Sequence, residues 1–334
     1  MQKLTIVILT KNEAANIGRL LDSLEGVDHP IFVVDSGSTD RTLDILRDRG
    51  VHYVHHDWTN YSGQRNWAQN NLPEPSEWVL HLDAGERLTE GMRDWLAAKN
   101  FTEDVAGVDG YMFARRAIFM GSWMKYGGYH PIYHLRLYRM GYGRCEAKAY
   151  DQHFVAKGKI IEAPKGADLE DGVMASLKSF TEAHARWAVY EAVESILAEE
   201  APGEVDAKFF GTAIQHRRWW KENVFQRTPL FLRSFLYLFY RYFFKLGFLD
   251  GTKGLVFHFL QGFWFRFLID AVIYEIRQEV KEGRPLPTIV RDKYGLDVDV
   301  ILNRQGNDNE EPPTIISQLP APQEAAPNYA ISGS

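Results

Sequence analysis

Two acidic residues, Asp83 and Glu86, lie close together at the end of a short apolar run, Val79–Leu82. A run of this density and length is typical of a strand buried on both faces of a parallel sheet. Ligands of open α/β sheets bind outside the carboxyl ends of the strands, so this pair is placed to hold a divalent cation against the phosphates of a nucleotide. The alternative is a strand-to-helix turn, in which Asp83 caps the next helix and Glu86 interacts with its dipole.

Two further loops with acidic residues follow earlier apolar runs. Glu13 comes after the run 4–9, and Asp35 and Asp40 come after the run 31–34. The carboxyl ends of parallel strands meet at one edge of a sheet, so we expect the three loops to converge. This convergent set of carboxylates is the part of the sequence that we predict to carry chemistry.

Strand and helix patterns alternate through the first half of the chain. Apolar residues at helical spacing follow the first loop, and a second helix is predicted over 42–49 after the second loop. This alternation predicts right-handed βαβ crossovers and an α/β fold with a mostly parallel sheet. Neither a G-x-G-x-x-G nor a G-x-x-x-x-G-K-[ST] loop is present in this half, which disfavours dinucleotide oxidoreductases and P-loop enzymes.

Composition narrows the class of protein further. The 334 residues are 45% hydrophobic and 25% charged, which is typical of a globular protein. A net charge of -6 argues against a protein that coats nucleic acid. The single cysteine, Cys145, excludes an internal disulfide, and the N-terminus enters an apolar strand pattern without a signal-peptide pattern, so we expect a protein of the reducing cytosol that is not exported.

Three motifs carry a resemblance to a known family: Ile8–Glu13, Val33–Thr42 and Leu82–Arg87. On these motifs the sequence resembles the family 2 glycosyltransferases of the GT-A fold. More narrowly, it resembles the bacterial enzymes of lipopolysaccharide-core and exopolysaccharide synthesis that extend glycans at the cytoplasmic membrane face. The resemblance is close over the N-terminal domain and looser through about residue 275.

The resemblance implies a nucleotide-diphosphate sugar as donor, with UDP favoured, and a divalent cation, Mn²⁺ or Mg²⁺, as cofactor. Asp35 would accept a hydrogen bond from the base, and Asp83 would face the ribose and the metal. A metal held by carboxylates neutralises the charge of a leaving diphosphate. The sequence departs from the family's D-x-D at Gly85, which leaves Glu86 as the second predicted metal ligand. The predicted nucleotide-binding residues are Thr10, Asn12, Glu13, Asp35, Ser38 and Asp83.

An inverting transferase also needs a general base that takes the proton of the acceptor hydroxyl. We predict Asp151 for this role because it lies in the first acidic loop after the strand pattern 133–139. Glu146 is the second candidate, and Glu170 or Asp171 the third. Arg136 in that strand could clamp phosphate.

The C-terminal half has a different character, because aromatic and aliphatic residues between Trp219 and Ile269 are interrupted by cations. No apolar run there reaches the roughly 18–20 residues that span a bilayer. We therefore expect helices that lie in the membrane interface, with aromatic rings at headgroup level and cations toward anionic lipid. The alternative is a helical bundle packed on the catalytic domain.

The sequence thus predicts a GT-A catalytic domain over 1–170, an α-helical, aromatic, membrane-associating region over 171–290 and a polar, largely disordered tail over 291–334. We predict an inverting glycosyltransferase at the cytoplasmic face of the cell membrane, acting on a lipid-linked glycan in cell-surface polysaccharide synthesis, without a nucleic-acid partner. The alternative is a non-catalytic GT-A-like scaffold that binds nucleotide or lipid, an idea supported by Gly85 alone.

Overall fold

A computed structural model describes residues 2–98, 107–146, 153–172, 176–197 and 228–298. The N-terminal part alternates strands with helices, as the sequence predicts. Each strand of this part is followed by a polar loop and, except at β4, by a helix. The elements are β1 (Gln2–Thr10), α1 (Ile17–Ser23), β2 (Ile31–Asp35), α2 (Thr42–Asp48), β3 (Tyr53–His55), α3 (Tyr61–Asn70) and β4 (Ser76–Asp83).

The chain then adds short strands around one long one. These elements are β5 (Glu86–Leu88), α4 (Glu90–Ala97), β6 (Gly110–Phe119), β7 (Ser122–Trp123), β8 (Tyr133–Arg139), β9 (Gly143–Cys145), β10 (Phe154–Ala156), β11 (Ile160–Glu162) and β12 (Leu169–Gly172). The alternative reading of the acidic pair as a helix start is wrong, because Glu86 begins strand β5 and the next helix is capped by Thr89.

The main sheet has the strand order β3-β2-β1-β4-β8-β6-β12-β5, and β7 and β11 also pair with β6. Strands β1 to β4 are mutually parallel. Strand β8 is antiparallel to both β4 and β6, so the sheet is mixed. Five of the nine strand pairs among its described strands are parallel, in agreement with the prediction of a mostly parallel sheet. A parallel neighbour needs a long crossover, whereas β8 follows β6 after a short connection that carries only β7.

Both faces of this sheet are covered, which explains the continuous apolar runs. One side of β1 places Leu4, Ile6 and Ile8 in a cluster with helix α1. The other side places Val7 with Val79 in a second cluster. The polar ends of β1, β2 and β4 are therefore the parts of these strands available for a ligand.

The described C-terminal part is helical. Its elements are α5 (Leu177–Leu197), α6 (Leu232–Phe239) with a π-helical turn (Tyr240–Phe244), a 3₁₀ turn (Gly247–Asp250), α7 (Gly251–Phe257), a π-helical segment (His258–Trp264), α8 (Phe265–Lys281) and α9 (Leu286–Tyr294). Helices α5, α8 and α9 share one buried apolar cluster that includes Ala192, Ile273 and Ile289.

Two described parts of the fold extend across the predicted domain boundaries at 170 and 290, which stay predictions. Strand β12 pairs with β5 and β6 through Gly172, so a boundary at 170 would cut this strand. Helix α9 extends to Tyr294 and Val298 is buried against the helical cluster, so the folded part extends beyond residue 290. Of the predicted tail, residues 299–334 lie outside the described residues.

One helical stretch corrects the expectation that nothing is long enough to cross a bilayer. Within the described ranges, Gly247–Lys281 is one 35-residue helical stretch whose length and apolar composition suffice for a span. In its most apolar window, 44% is buried within the protein, and a core helix can pass the same test.

Candidate functional site

The loops that follow β1 and β2 are joined by hydrogen bonds between side chains and backbone. Asn12, in a left-handed conformation, donates its N–H to Ser38 Oγ at 2.8 Å and accepts the N–H of Thr39 at its Oδ1, also at 2.8 Å. Asp40 Oδ2 accepts the N–H of Ala14 at 3.1 Å. The two loops therefore form one polar surface at the edge of the sheet.

Asp35 is the centre of this surface. Its Oδ1 accepts the N–H groups of Gly37 and Ser38 at 2.9 and 2.8 Å, and its Oδ2 accepts the hydroxyls of Thr10 and Ser38 at 2.9 and 2.5 Å. A carboxylate has about four lone-pair positions, so Asp35 is satisfied internally and only 2% exposed. Its role in this arrangement is to shape the loop that contains Ser38.

Glu13 brings the first loop toward the end of β4. Its Oε2 accepts a hydrogen bond from Asn16 at 2.8 Å. Burial raises the pKa of Glu13, and the nearby carboxylates of Asp83 and Asp40 act in the same direction. In the sheet, Leu9 is paired with Asp83 and Thr10 with Asp35. The three acid-bearing loops thus converge, as their positions after parallel strands predict.

Asp83 is held by two arginines from different elements. Its Oδ1 accepts a hydrogen bond from Arg65 Nη2 of helix α3 at 2.6 Å, and its Oδ2 accepts one from Arg136 Nη2 of β8 at 2.8 Å. Although burial alone would raise it, Arg136 and Arg65 hold the pKa of the Asp83 carboxyl well below its usual range. Asp83 is thus a carboxylate between two fixed cations.

Glu86 is bound in the same network but lies deeper. Its Oε1 accepts from Arg136 Nη2 at 2.5 Å and its Oε2 accepts the backbone N–H of Asp83 at 2.9 Å. The Glu86 side chain is 3% exposed, against 41% for Asp83. Burial raises the pKa of Glu86 to about 7, and Asp83 and Asp171 add to the rise against the lowering effect of Arg136. Glu86 therefore anchors Arg136 and the β4–β5 turn.

These residues do not fit a divalent cation. Such a cation takes several oxygen ligands, yet no three acidic, histidine or cysteine side chains in the described part of the chain are placed to share one. The two predicted ligands, Asp83 and Glu86, meet at the Arg136 guanidinium instead. A cation here would lie against the positive charges of Arg65 and Arg136, which disfavours metal binding.

The predicted base, Asp151, lies outside the described residues. Among its described alternatives, Glu146 is 2% exposed, and its Oε1 accepts the backbone N–H of His153 at 3.0 Å and lies 3.1 Å from His153 Nδ1. Asp171 lies on β12 directly opposite Glu86 and forms an ion pair with Arg115. The Asp83 network consists of Asp83, Glu86, Arg65 and Arg136. Asp171 is therefore an acidic residue that the fold brings beside this network from a later strand.

Arg65 is a residue that the sequence analysis missed. It is 8% exposed, its Nη1 lies 3.9 Å from Cys145 Sγ and its guanidinium lies 5.1 Å from the centre of the Phe154 ring. The polar face of helix α3, which buries Ser62, Gln64 and Arg65, was the available signal. Its partner Asp83 is separated from it by a strand, so the pairing depends on the tertiary fold.

A glycine- and aromatic-rich loop, 120–131, is fastened to the C-terminal helices. Gly127 donates its N–H to the Lys245 carbonyl at 2.8 Å, and Asp250 accepts the backbone N–H groups of Lys125 and Tyr126, each at 3.1 Å. Arg241 donates to the Gly127 carbonyl, and its guanidinium lies 3.5 Å from the centre of the Tyr129 ring. The helices therefore determine the position of this loop.

Cations of helix α6 and the following turn point into the protein. Arg233 is 7% exposed and donates from Nε to Asp270 Oδ1 at 2.7 Å, and Arg241 is also 7% exposed. The expectation that these cations face lipid is wrong, because each has a buried partner. The opposite face exposes large apolar side chains, each about half accessible or more: Leu232, Phe235, Leu236, Phe239, Tyr240, Phe243 and Phe244.

The N-terminal segment is similar to known proteins. Residues 5–141 match the family model described as glycosyl transferase family 2. An uncharacterized glycosyltransferase of Rickettsia prowazekii is 35% identical over 94 residues, which cover 28% of this chain and 32% of the relative. One of Rickettsia bellii is 37% identical over 93 residues, covering 28% and 31%. This chain thus matches about a third of the length of these relatives.

Solved structures with a similar course of the chain include TarS of S. aureus in complex with UDP-GlcNAc. That structure is 14% identical, with a TM-score of 0.41, and the match covers 83% of this chain and 92% of TarS. TM-scores below 0.5 do not establish a shared fold. The mixed α/β sheet and the family match support a GT-A-like domain, and the match to glycosyl transferase family 2 covers residues 5–141.

Proposed function

We propose that the protein is an inverting glycosyltransferase of the hexosyl type. It moves a sugar from a nucleotide-diphosphate sugar, with UDP as the favoured nucleotide, to a hydroxyl of a lipid-linked glycan. The observation that carries this proposal is the convergence of the loops after β1, β2 and β4 at one sheet edge, within the segment that matches family 2.

The donor nucleotide would lie over this edge. Its pocket would be formed by residues of one hydrogen-bonded surface: Thr10, Asn12, Glu13, Asp35 and Ser38. Asp83, at the end of β4, would face the ribose and the diphosphate. Ligands of α/β sheets bind outside the carboxyl ends of strands, which supports this placement.

In the reaction, the acceptor oxygen forms a bond to the anomeric carbon while the bond from that carbon to the diphosphate breaks. The diphosphate leaves with the electron pair, and a base takes the acceptor's proton. We propose Asp171 as this base, because it approaches the Asp83 network from β12, a different strand. Asp151 stays the competing candidate from sequence, and substitution of each distinguishes them.

We further propose that the acceptor is reached at a membrane surface on the cytoplasmic face. The exposed face of α6 and the following turn is apolar, although its buried face carries Arg233 and Arg241. A large exposed apolar patch is typical of an interaction site, and aromatic residues favour the membrane interface. Because Arg241 also contacts loop 120–131, a bound membrane would lie close to this loop, whose aromatic rings have flat faces on which a sugar ring could pack.

Membrane association is tested by fractionation and vesicle binding. Carbonate or high salt should release much of the protein if it lies in the interface, whereas retention through both washes would indicate that Gly247–Lys281 inserts. A role in cell-surface polysaccharide synthesis follows only if the acceptor is lipid-linked, which fractionated lipid extracts used as acceptors would test.

A second candidate function is a scaffold that binds nucleotide or lipid without turnover. Gly85, in place of a carboxylate of the family motif, favours it. Release of nucleoside diphosphate in the presence of acceptor would exclude the scaffold.

The proposal is tested by a thermal-shift screen of UDP- and GDP-sugars, with EDTA or with Mn²⁺. A ligand that binds the folded state raises its stability by RT ln(1 + [L]/Kd), which is about 2.7 kcal/mol at a hundredfold excess over Kd. We expect a rise in melting temperature with at least one donor. No rise with any donor under either condition would contradict the proposed function.

A further inference from the structure

We infer that Arg65 and Arg136, instead of a divalent cation, provide the positive charge that faces the donor's diphosphate. This inference rests on the proposed function. It concerns how this site stabilises the leaving group. The family motif implies a metal at the diphosphate, whereas the residues of this chain indicate that arginine side chains stabilise it.

The two predicted metal ligands, Asp83 and Glu86, are already bound by arginine side chains. Each oxygen of Asp83 accepts a hydrogen bond from a guanidinium, at 2.6 Å from Arg65 and at 2.8 Å from Arg136. Glu86 is engaged by Arg136 and by the Asp83 N–H. A metal would have to displace these contacts and then lie beside two cations, since Gly85 adds no ligand.

Both arginines keep N–H donors that can bind a further ligand. Arg136 uses one nitrogen, Nη2, for both acids, and Arg65 uses Nη2 for Asp83. Within the described ranges, the Nε and Nη1 groups of Arg136 and the Nε of Arg65 have no hydrogen-bond acceptor. A guanidinium has five N–H donors in a rigid fork that matches phosphate oxygens. These free donors can therefore bind a diphosphate without loss of the Asp83 contacts.

The two guanidiniums are held in place by an aromatic ring and by burial. Both lie over the same aromatic ring, that of Phe154, at 5.1 Å for Arg65 and 5.7 Å for Arg136. Their side chains are 10% and 8% exposed, whereas Asp83 beside them is 41% exposed. Preorganised charges in such a site stabilise developing negative charge without rearrangement during the reaction.

The carboxylate that the family motif has at position 85 can be restored by substitution of Gly85. A Cβ at this position would meet no atom within 4 Å, and the backbone there is not in the left-handed region. Gly85→Asp thus restores the family's second carboxylate on a Cβ that meets no steric conflict. Gly85→Asp is therefore a variant that gains a possible metal ligand, and Gly85→Ala is its control.

The experiment is calorimetric binding of UDP and of GDP in EDTA and in Mn²⁺. For the wild type we expect the same Kd, within about twofold, in both conditions. Arg136→Lys keeps the charge but loses the fork, so we expect about tenfold weaker binding in both, or about 1.4 kcal/mol. Arg139→Lys, on the same strand but stacked on Trp78, should bind as the wild type. Gly85→Asp should bind more tightly with Mn²⁺ than with EDTA, unlike Gly85→Ala.

Two results would overturn the inference. One is wild-type binding that requires Mn²⁺, and the other is Arg136→Lys binding as tightly as the wild type while melting at the same temperature. Both leave the proposed function intact, because nucleotide still binds. Absence of binding by either nucleotide in either condition would instead contradict the proposed function.

Discussion

His258 gives the contact between loop 120–131 and the helices a pH dependence. Its imidazole is fully buried, and neither ring nitrogen has a hydrogen-bond partner among the described residues. A Cβ on Gly127 or on Gly247 would collide with the ring, so only glycine fits at these two positions beside it. The groups that face the imidazole are Arg241, Asp250, whose Oδ2 lies 3.8 Å from Nε2, and the rings of Tyr129, Tyr242 and Phe257.

Burial, with a smaller effect of Arg241, lowers the pKa of His258 from 6.5 to about 4. The unfolded chain therefore binds a proton near pH 6.5, whereas the folded protein does not bind it until near pH 4. Protonation thus favours the unfolded state, and stability present above pH 6.5 is lost as the pH falls toward 4. Linkage over this interval corresponds to about 3 kcal/mol in full, and to about 2 kcal/mol between pH 7.5 and pH 5.

The assay is urea unfolding at pH 7.5 and pH 5, followed by tryptophan fluorescence, for the wild type and His258→Gln. Glutamine cannot be protonated, so the variant's free energy of unfolding should fall by about 2 kcal/mol less between these pH values than that of the wild type. Asp250, whose pKa burial raises, contributes an opposite slope that is present in both proteins. Equal pH dependence in the two proteins would refute the reasoning.

Further substitutions test the site and the apolar face. Asp171→Asn should lower turnover on the acceptor by about 10² to 10⁴ without changing donor affinity, and the same loss in Asp151→Asn instead would move the base to Asp151. Asp83→Ala should abolish transfer with the fold intact, as judged by circular dichroism, because Arg65 and Arg136 lose their shared acceptor. Phe244→Ser should weaken binding to anionic vesicles. Tyr142→Ser, which changes an exposed aromatic residue in the turn between β8 and β9, should not. Equal binding by the wild type and both variants would argue that the apolar face does not contact the membrane.

The strands predicted from sequence were those with local signals. The pattern 133–139 matches β8 residue for residue, although burial does not alternate along it, since four successive residues, 135–138, are buried. Strands β5 and β12 carry no such signal, since Glu86–Leu88 and Leu169–Gly172 are short and polar. They are strands because β12 pairs with both β5 and β6, a pairing that only the tertiary fold determines.

Some features of the candidate site were predictable from sequence, and others depend on the tertiary fold. Its acidic loops were predictable, because each follows an apolar strand directly and parallel strands bring such loops together. The partners of Asp83 were not, since Arg65 and Arg136 come from a helix and a strand at 18 and 53 positions from it. The reversed polarity of α6, with cations buried and aromatics exposed, also depends on where Asp270 lies.

The central claim, sugar transfer from a nucleotide-diphosphate donor, is tested most directly by measuring nucleoside diphosphate release. A panel of UDP- and GDP-sugars would be incubated with the protein and a lipid-linked glycan extract, with Asp83→Ala as the inactive control. We expect at least one donor to release its nucleoside diphosphate in an acceptor-dependent way with the wild type, and none with Asp83→Ala. Binding of a donor without any release, with acceptor present, would contradict the claim.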